Sequence, residues 1–573
     1  MSTAKNERAW TKGYDYGAAA LILALAAVLS WLQGKHQFLT PPFENDFVGF
    51  AERARSLAEA CELNGFYPLG YPLLLLSLTQ PSPIGRGIGE GDAAFAAAKI
   101  AAIWATVILA TAAYLLSGAL LGKPRSFLTL VTLAVNPYFW QSAFFVGTDM
   151  PWAALQCLAL LGCTLAIQRQ KWPIFALAGM ATGLAYLMRY TALLTLPVVC
   201  AYLMLARPLT RAGSYANLRG ALAFTVLFLL FSLPQLWISW QAKGNPFFNL
   251  QAKNVWFGIY GNSDWWTHWR EVPSDISLGQ VFLTSPGRFL GHWGQEFIKW
   301  WAYTGVLAVG ASLLAYQQAS PAIRLGLLAM TGFLGVGVVF LLLQSADGAD
   351  GRRHLSICVN LRHLRILWPG VKAASGLLGF YYVIYGLSVA LVFVQPRFFL
   401  AVLPLILAAA VTVFQSADFA DSRRYFPFGA NPRHLKSFRL LLGLAFLIFA
   451  AGNGVLTLHH YLDRLQPPVA EVVHSLQDAG AHQEDVILAS LEMPYKYHTL
   501  YNFQPLPREA RSFDLLYESL RSHHASFLLF EEAYGARYWP ALSGLLQEPP
   551  AYLRLVWQGE NQKTALYRVT FGD

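Results

Sequence analysis

The sequence predicts a mainly α, polytopic membrane bundle of about 11–12 membrane segments, followed by a small extracytoplasmic α/β domain at the carboxy terminus. Three observations carry this. First, charged residues make up 13% and hydrophobic residues 55% of the 573 positions, whereas a soluble domain is about a quarter charged; the mean hydropathy is +0.40. Second, apolar runs long enough to cross hydrocarbon, about 20 residues each, recur along most of the chain. Third, from about residue 460 the pattern shifts to short strand-like runs alternating with amphipathic stretches, which is α/β patterning. The 30 Pro and 46 Gly exclude a long coiled coil, and the hydrophobicity excludes disorder.

The expected spans lie near 16–33, 93–121, 126–145, 150–167, 172–188, 191–206 and 220–240, then 297–316, 324–343, 377–394, 398–414 and 438–457. The first is read as an uncleaved span, because no A-x-A site follows it. Segments 34–92 and 241–296 read as outer loops, and the Trp-rich second one (Trp256, Trp265, Trp266, Trp269, Trp293) as interfacial helices. Basic clusters at Lys123 and Arg125, Arg169 and Lys171, and Arg207, Arg211 and Arg219 fall in short loops between spans, the positive-inside pattern. Loops 344–376 and 415–439 are also basic, and parity between them and the spans fails once. The transmembrane domain is therefore expected over 1–459 and the extracytoplasmic domain over 460–573. Its strands are expected at Asp485–Leu491, Ser526–Phe530, Tyr552–Trp557 and Ala565–Phe571, and its helices at 468–479, 512–524 and 535–547.

A net charge of +10 would suit a nucleic-acid binder, but the basic residues sit in loops between spans rather than in one patch, so no nucleic-acid partner is expected. The five Cys (61, 157, 163, 200, 358) are scattered and odd in number, with neither a disulfide framework nor a zinc spacing.

Ionisable groups at span ends are the informative residues of such a chain. Glu44 and Asp46 stand in Phe43-Glu44-Asn45-Asp46-Phe47, ahead of a helical stretch expected over 46–63 and of Tyr67-Pro68-Leu69-Gly70-Tyr71-Pro72. Asp149 stands in Gly147-Thr148-Asp149-Met150-Pro151, between two spans. The competing reading of both Asp residues is helix capping. Arg189-Tyr190 ends the fifth span, where an Arg can also snorkel. Arg397 stands in Gln395-Pro396-Arg397-Phe398-Phe399, at the expected start of an apolar helix, where the dipole disfavours a cation unless an anion compensates.

Together these motifs, with Leu187-Met188-Arg189-Tyr190 and Leu403-Pro404, resemble the GT-C glycosyltransferases, in particular the branch of the protein O-mannosyltransferases and the lipid A aminoarabinose transferase. The resemblance covers roughly residues 14–210 and 377–460, with Asn45-Asp46 in place of a doubled acidic pair. It implies an inverting transferase that takes a sugar from a polyprenyl-phosphate carrier on the outer face of the plasma (inner) membrane. The acceptor hydroxyl, on a lipid, glycan or protein, then needs a carboxylate base, and the leaving phosphate needs a guanidinium. The roles the resemblance implies are Asp46 as base, Asp149 orienting the acceptor or supporting the base, and Arg397 and Arg189 on the donor phosphate. Glu44, Tyr67, Tyr190, His268 and Arg270 are acceptor or sugar contacts. No cofactor is fixed by the sequence; a divalent metal, with Glu44 as a ligand, is left open. The rival classes are a transporter or flippase, which would show internal repeats, and a glycan polymerase or ligase of another fold, which would depend on loop 241–296.

Overall fold

A computed structural model describes residues 2–35, 46–65, 67–79, 90–205, 211–261, 272–273, 275–308, 369–392, 394–416, 448, 451–453, 455, 469–492, 495, 499, 501–507, 509–532, 535, 539–559 and 563–571. The expected span at 324–343 and the basic loop 344–376, up to residue 368, lie outside the described residues, as does nearly all of 417–468. The chain divides into two compact units. One comprises residues 1–34, 53–77 and 98–461, the other residues 35–52, 78–97 and 462–573.

The first unit is helical. Its elements are α1 (Ser2–Lys35), the end of α2 (Asp46–Arg53), α3 (Leu57–Ala60), α4 (Gly70–Thr79), α5 (Glu90–Leu121), α6 (Lys123–Val135), α7 (Pro137–Phe144), α8 (Asp149–Arg169), α9 (Trp172–Met188), α10 (Thr195–Leu205), α11 (Arg211–Lys243), α12 (Gln251–Tyr260), α13 (Leu278–Thr284), α14 (Pro286–Ala308), α15 (Pro369–Val392) and α16 (Leu403–Ser416). Five described stretches are long and apolar enough to cross a membrane: Lys12–Gly34, Ala93–Leu121, Asp149–Arg169, Asn217–Lys243 and Ala373–Val392. The chain is a multi-pass membrane protein.

Several expected spans are shaped differently, each for a local reason. The run 126–145 is broken into α6 and α7 at Asn136-Pro137, because Pro137 cannot continue the ladder of α6. Asn136 caps the new helix by accepting from the N–H groups of Tyr138 and Phe139, and its amide donates to the Leu307 carbonyl at 3.1 Å. The expected helix 46–63 ends at Arg53 and restarts as α3, capped by Ser56. The expected boundary at 296/297 does not exist: α14 runs through it from Pro286. Nor does an apolar helix begin at 398. A 3-10 turn, Pro396–Phe399, precedes α16, so Arg397 sits on that turn and not at a helix dipole.

Lipid offers no hydrophobic drive between helices, so close backbone approach at small residues must supply the packing. Helices α9 and α11 show it. A Cβ on Gly179 would lie 2.1 Å from the Phe224 carbonyl oxygen, and one on Gly183 would lie 2.8 Å from that of Phe228. Leu230, Leu233, Trp237 and Trp240 of α11 are exposed, as residues facing acyl chains would be.

In the second unit, α17 (Val469–Asp478) precedes a five-stranded sheet of order β2-β1-β3-β5-β4. The strands are β1 (Val486–Ala489), β2 (Asn502–Pro505), β3 (Ala525–Glu531), β4 (Leu553–Gln558) and β5 (Thr564–Val569), with α18 (Phe513–Ser522) between β2 and β3. Strands β2, β1 and β3 are parallel, and β5 runs antiparallel between β3 and β4. The edge strand β2 was not expected: Asn502-Phe503-Gln504-Pro505 is short, half polar and ends in Pro, which suits an edge. Of the expected helix 535–547, the described residues show helix at Gly535 and the 3-10 turn Pro540–Leu542.

Glu531, the last residue of β3, is partly buried and its carboxyl is held by neighbours. Its N–H donates to Ser490 Oγ at 2.8 Å, and Tyr495 donates to its Oε1 at 3.1 Å. Burial pushes its pKa up, from 4.5 to about 7, against the opposing effect of the Tyr495 hydrogen bond.

Two outcomes are expected. Gly179→Ala should destabilise the bundle by roughly 1–3 kcal/mol through overpacking against Phe224, read by thermal unfolding in lipid; an unchanged midpoint would contradict the close approach. A carboxyl with a raised folded-state pKa favours the protonated form, so its contribution is full below 4.5 and is lost as pH rises through about 7. Glu531→Gln should therefore raise hydrogen-exchange protection of β1 and β3 at pH 8, by about 1–3 kcal/mol, and give little at pH 4. Equal effects at both pH values would show that Glu531 is not held in a proton-favouring site.

Candidate active site at one end of the helical unit

The α8–α9 hairpin brings the start of one helix beside the end of the other. Asp149 is the first residue of α8, with Thr148 as a cap that makes no side-chain hydrogen bond to the helix. Capping is thus not the role of Asp149. Its carboxylate forms an ion pair with the guanidinium of Arg189, the residue that closes α9. Arg189 Nε also donates to Thr148 Oγ1 at 3.2 Å, so the guanidinium grips both residues of the turn. Gly147 makes that turn at φ +149°, where a side chain would be strained.

The second guanidinium arrives from the 3-10 turn. The carbon of Arg189 lies 5.7 Å from the centroid of the Phe398 ring, and that of Arg397 lies 5.8 Å from the same centroid. Arg189 is also 5.6 Å from the Trp152 ring, one turn into α8. Tyr138 is buried where the charges of Asp149, Arg189 and Arg397 all reach it. Tyr385 is buried within reach of Asp149 and Arg189, and its hydroxyl donates to the Phe398 carbonyl at 3.0 Å. Two guanidiniums, one carboxylate and a wall of aromatic rings therefore converge at one end of the bundle. Such a lining can hold an anionic group with a sugar beside it.

The outer motif 67–72 supports the hairpin. Gly70 sits so close to α9 that a Cβ there would lie 2.5 Å from the Leu187 carbonyl oxygen. Gln235, a buried amide on α11, accepts from the Leu69 N–H at 3.1 Å and donates to the Tyr190 hydroxyl at 3.2 Å. Tyr190 is thus a buried structural partner. Tyr67 is held through its backbone: its carbonyl accepts from Arg53 at 3.3 Å and its N–H donates to Asn64 at 3.3 Å. Arg53 also reaches the carbonyls of Ala60 and Glu62, which ties the turn after α2 to the motif.

Asp149, Arg189 and Arg397 are brought together within the first unit. Asp46 opens α2 and falls in the second unit. Glu44, His268 and Arg270 lie outside the described residues. Among the described residues, no group of three or more His, Cys, Asp or Glu is placed to hold a metal ion. The sequence reading missed Trp152, Tyr138, Tyr385 and Gln235. A signal existed for two: Tyr381 and Tyr385, spaced by four in an apolar run, stack at 5.5 Å, and Gln235 is an amide inside an otherwise apolar helix. Trp293, expected as an interfacial anchor, donates instead to the Leu387 carbonyl at 2.9 Å.

If the pair holds the hairpin, Asp149→Asn and Arg189→Gln should each lower thermal stability in lipid. The double variant should cost less than the sum, with a coupling on the order of 1–2 kcal/mol for a pair whose side chains are 30% and 15% exposed. Additive losses would mean that the two side chains act separately.

A sequence model of the family described as dolichyl-phosphate-mannose-protein mannosyltransferase matches residues 90–237. No curated protein sequence matches the chain. Among solved structures, the archaeal oligosaccharyltransferase AglB of Archaeoglobus fulgidus, in complex with an inhibitory peptide and a dolichol-phosphate, aligns at 12% identity and TM-score 0.48, over 97% of this chain and 74% of that one. ArnT of Cupriavidus metallidurans, bound to undecaprenyl phosphate, aligns at 14% identity and TM-score 0.42, over 96% and 98%. The arabinofuranosyltransferase AftD from Mycobacteria aligns at 14% identity and TM-score 0.41, over 96% and 42%. These structural likenesses are loose. The family match covers α8, α9 and Gln235 but neither Asp46 nor Arg397. Over residues 90–237 the chain is similar to the dolichyl-phosphate-mannose-protein mannosyltransferases.

Proposed function

We propose that the chain is an inverting glycosyltransferase that moves a sugar from a polyprenyl-phosphate carrier to an acceptor hydroxyl on the outer face of the plasma membrane. The observation that carries this reading is the meeting of Arg189 and Arg397 on one ring, Phe398, beside Asp149. A lipid phosphate is a leaving group that enters from the bilayer, so its binding charges belong at the end of a helical bundle. The description of the family matched over 90–237 names a dolichyl-phosphate sugar as donor, which suits the same chemistry.

In this mechanism the acceptor oxygen attacks the anomeric carbon from the side opposite the phosphate. The bond from that carbon to the phosphate oxygen breaks, and its electron pair leaves with the lipid phosphate. Arg397 stabilises the charge that accumulates there, and guanidinium suits the task because it stays charged and forks onto two oxygens. Asp46 takes the proton from the acceptor hydroxyl. Arg189 is already paired with Asp149, so its contribution is shared: Asp149 fixes the guanidinium in place and tempers its charge. The acceptor is a lipid, a glycan or a protein, and in a cell with two membranes the site and the carboxy-terminal domain face the periplasm.

The test is sugar release or transfer from labelled polyprenyl-phosphate sugars by the purified protein in lipid. Asp46→Asn and Arg397→Ala should each lose roughly 10²–10³-fold in rate while remaining folded. If no such donor is consumed, or if both variants match the wild type, the transferase reading fails and the transporter and polymerase readings move ahead.

A further inference from the structure

The short connection that carries Arg397 is held by α15, through the Tyr385 hydroxyl on the Phe398 carbonyl, and at both of its ends by α14. On α14, Glu296 accepts the Val394 N–H, and Trp300, one turn further on, stacks on Phe399 with ring centroids 4.1 Å apart. These contacts fall on either side of Arg397, three residues before it and two after. The same helix holds the end of α15, since His292 Nε2 donates to the Val392 carbonyl at 3.1 Å and Trp293 donates to that of Leu387. Gly386 gives the Trp300 indole its place: a Cβ there would lie 2.5 Å from Nε1. Trp300 and Phe399 are fully buried, so the far end of the turn is fixed by packing. At the near end Val394 is also buried, and its N–H is taken by a carboxylate whose side chain is 15% exposed and which also faces Lys299 at 3.4 Å.

We infer that Glu296 is a positioning residue for the lipid-phosphate site, setting the place of Arg397 by holding the Val394 N–H at the entry to its turn. The inference rests on the reading of Arg397 as the donor-phosphate ligand. A carboxylate accepting a backbone N–H is a strong, directional contact, and the turn it holds is too short to absorb its loss without moving the guanidinium. The negative charge of Glu296 is not what the role requires. An amide oxygen at the same reach would accept the same hydrogen bond, whereas a carboxylate one methylene shorter would not span the distance.

The experiment measures binding of a polyprenyl phosphate to the full chain in lipid nanodiscs, with the uncharged polyprenol as the control ligand. Arg397→Ala is the reference and should weaken the phosphate, not the polyprenol, by at least about tenfold. Glu296→Ala and Glu296→Asp should each weaken it by about tenfold, and Glu296→Gln should stay within about twofold of wild type. Polyprenol binding should be unchanged throughout. Glu296→Asp keeps the test open should the Ala variant fail to fold. If Arg397→Ala binds the phosphate like wild type, the donor-site reading itself is wrong. If Arg397→Ala is weak while Glu296→Asp matches wild type, or Glu296→Gln is as weak as Glu296→Asp, the donor site stands and the positioning role of Glu296 is overturned.

Discussion

The ion pair between Asp149 and Arg189 is the constraint around which this end of the bundle is arranged. Either charge alone, half-buried among aromatic rings, would carry a desolvation cost with nothing to offset it. Paired, they lock the start of α8 to the end of α9, and the guanidinium gains Thr148 and two ring faces besides. The surrounding contacts follow from keeping that geometry. Gly147 makes the turn, Gly70 lets the outer motif lie against Leu187, and Gln235 joins Leu69 to Tyr190.

A second theme is how interruptions in the helices are satisfied. Inside a membrane protein a break in a helix frees backbone groups that water cannot reach, so each break needs a side chain to complete it. Asn136 does this between α6 and α7, and Glu296 and His292 do it where α15 gives way to the Arg397 turn. Both breaks lie against α14, through Leu307 in one case and Glu296 in the other. The polar residues that look out of place in apolar sequence are therefore the ones that allow the chain to turn near the charged end.

The arrangement also separates two kinds of guanidinium. Arg189 has a carboxylate partner and a structural duty. Arg397 is carried on a turn whose backbone and flanking ring are held through Glu296, Tyr385 and Trp300. The carboxy-terminal domain keeps a different polar element: Glu531, enclosed at the end of β3 with Tyr495 and Ser490, where burial favours its protonated form.

Much was legible in the sequence because lipid and strand pleats impose strict patterns. Span α9 was expected at 172–188 and is Trp172–Met188; four of the five strands were placed within a few residues. Asp149, Arg189 and Arg397 stood out because ionisable groups at span ends are costly unless used. The sequence determined the class of fold, the helices and the charged residues, since hydropathy and backbone chemistry are properties of local chain. Tertiary structure alone decided which charges meet. Hydropathy does not report that Asp149 pairs with Arg189, that Phe398 lies beside two guanidiniums, or that Glu296 reaches Val394 almost a hundred residues away. Those contacts depend on the rotation and register of packed helices, which side-chain volume and close glycine approaches fix only once the bundle has formed.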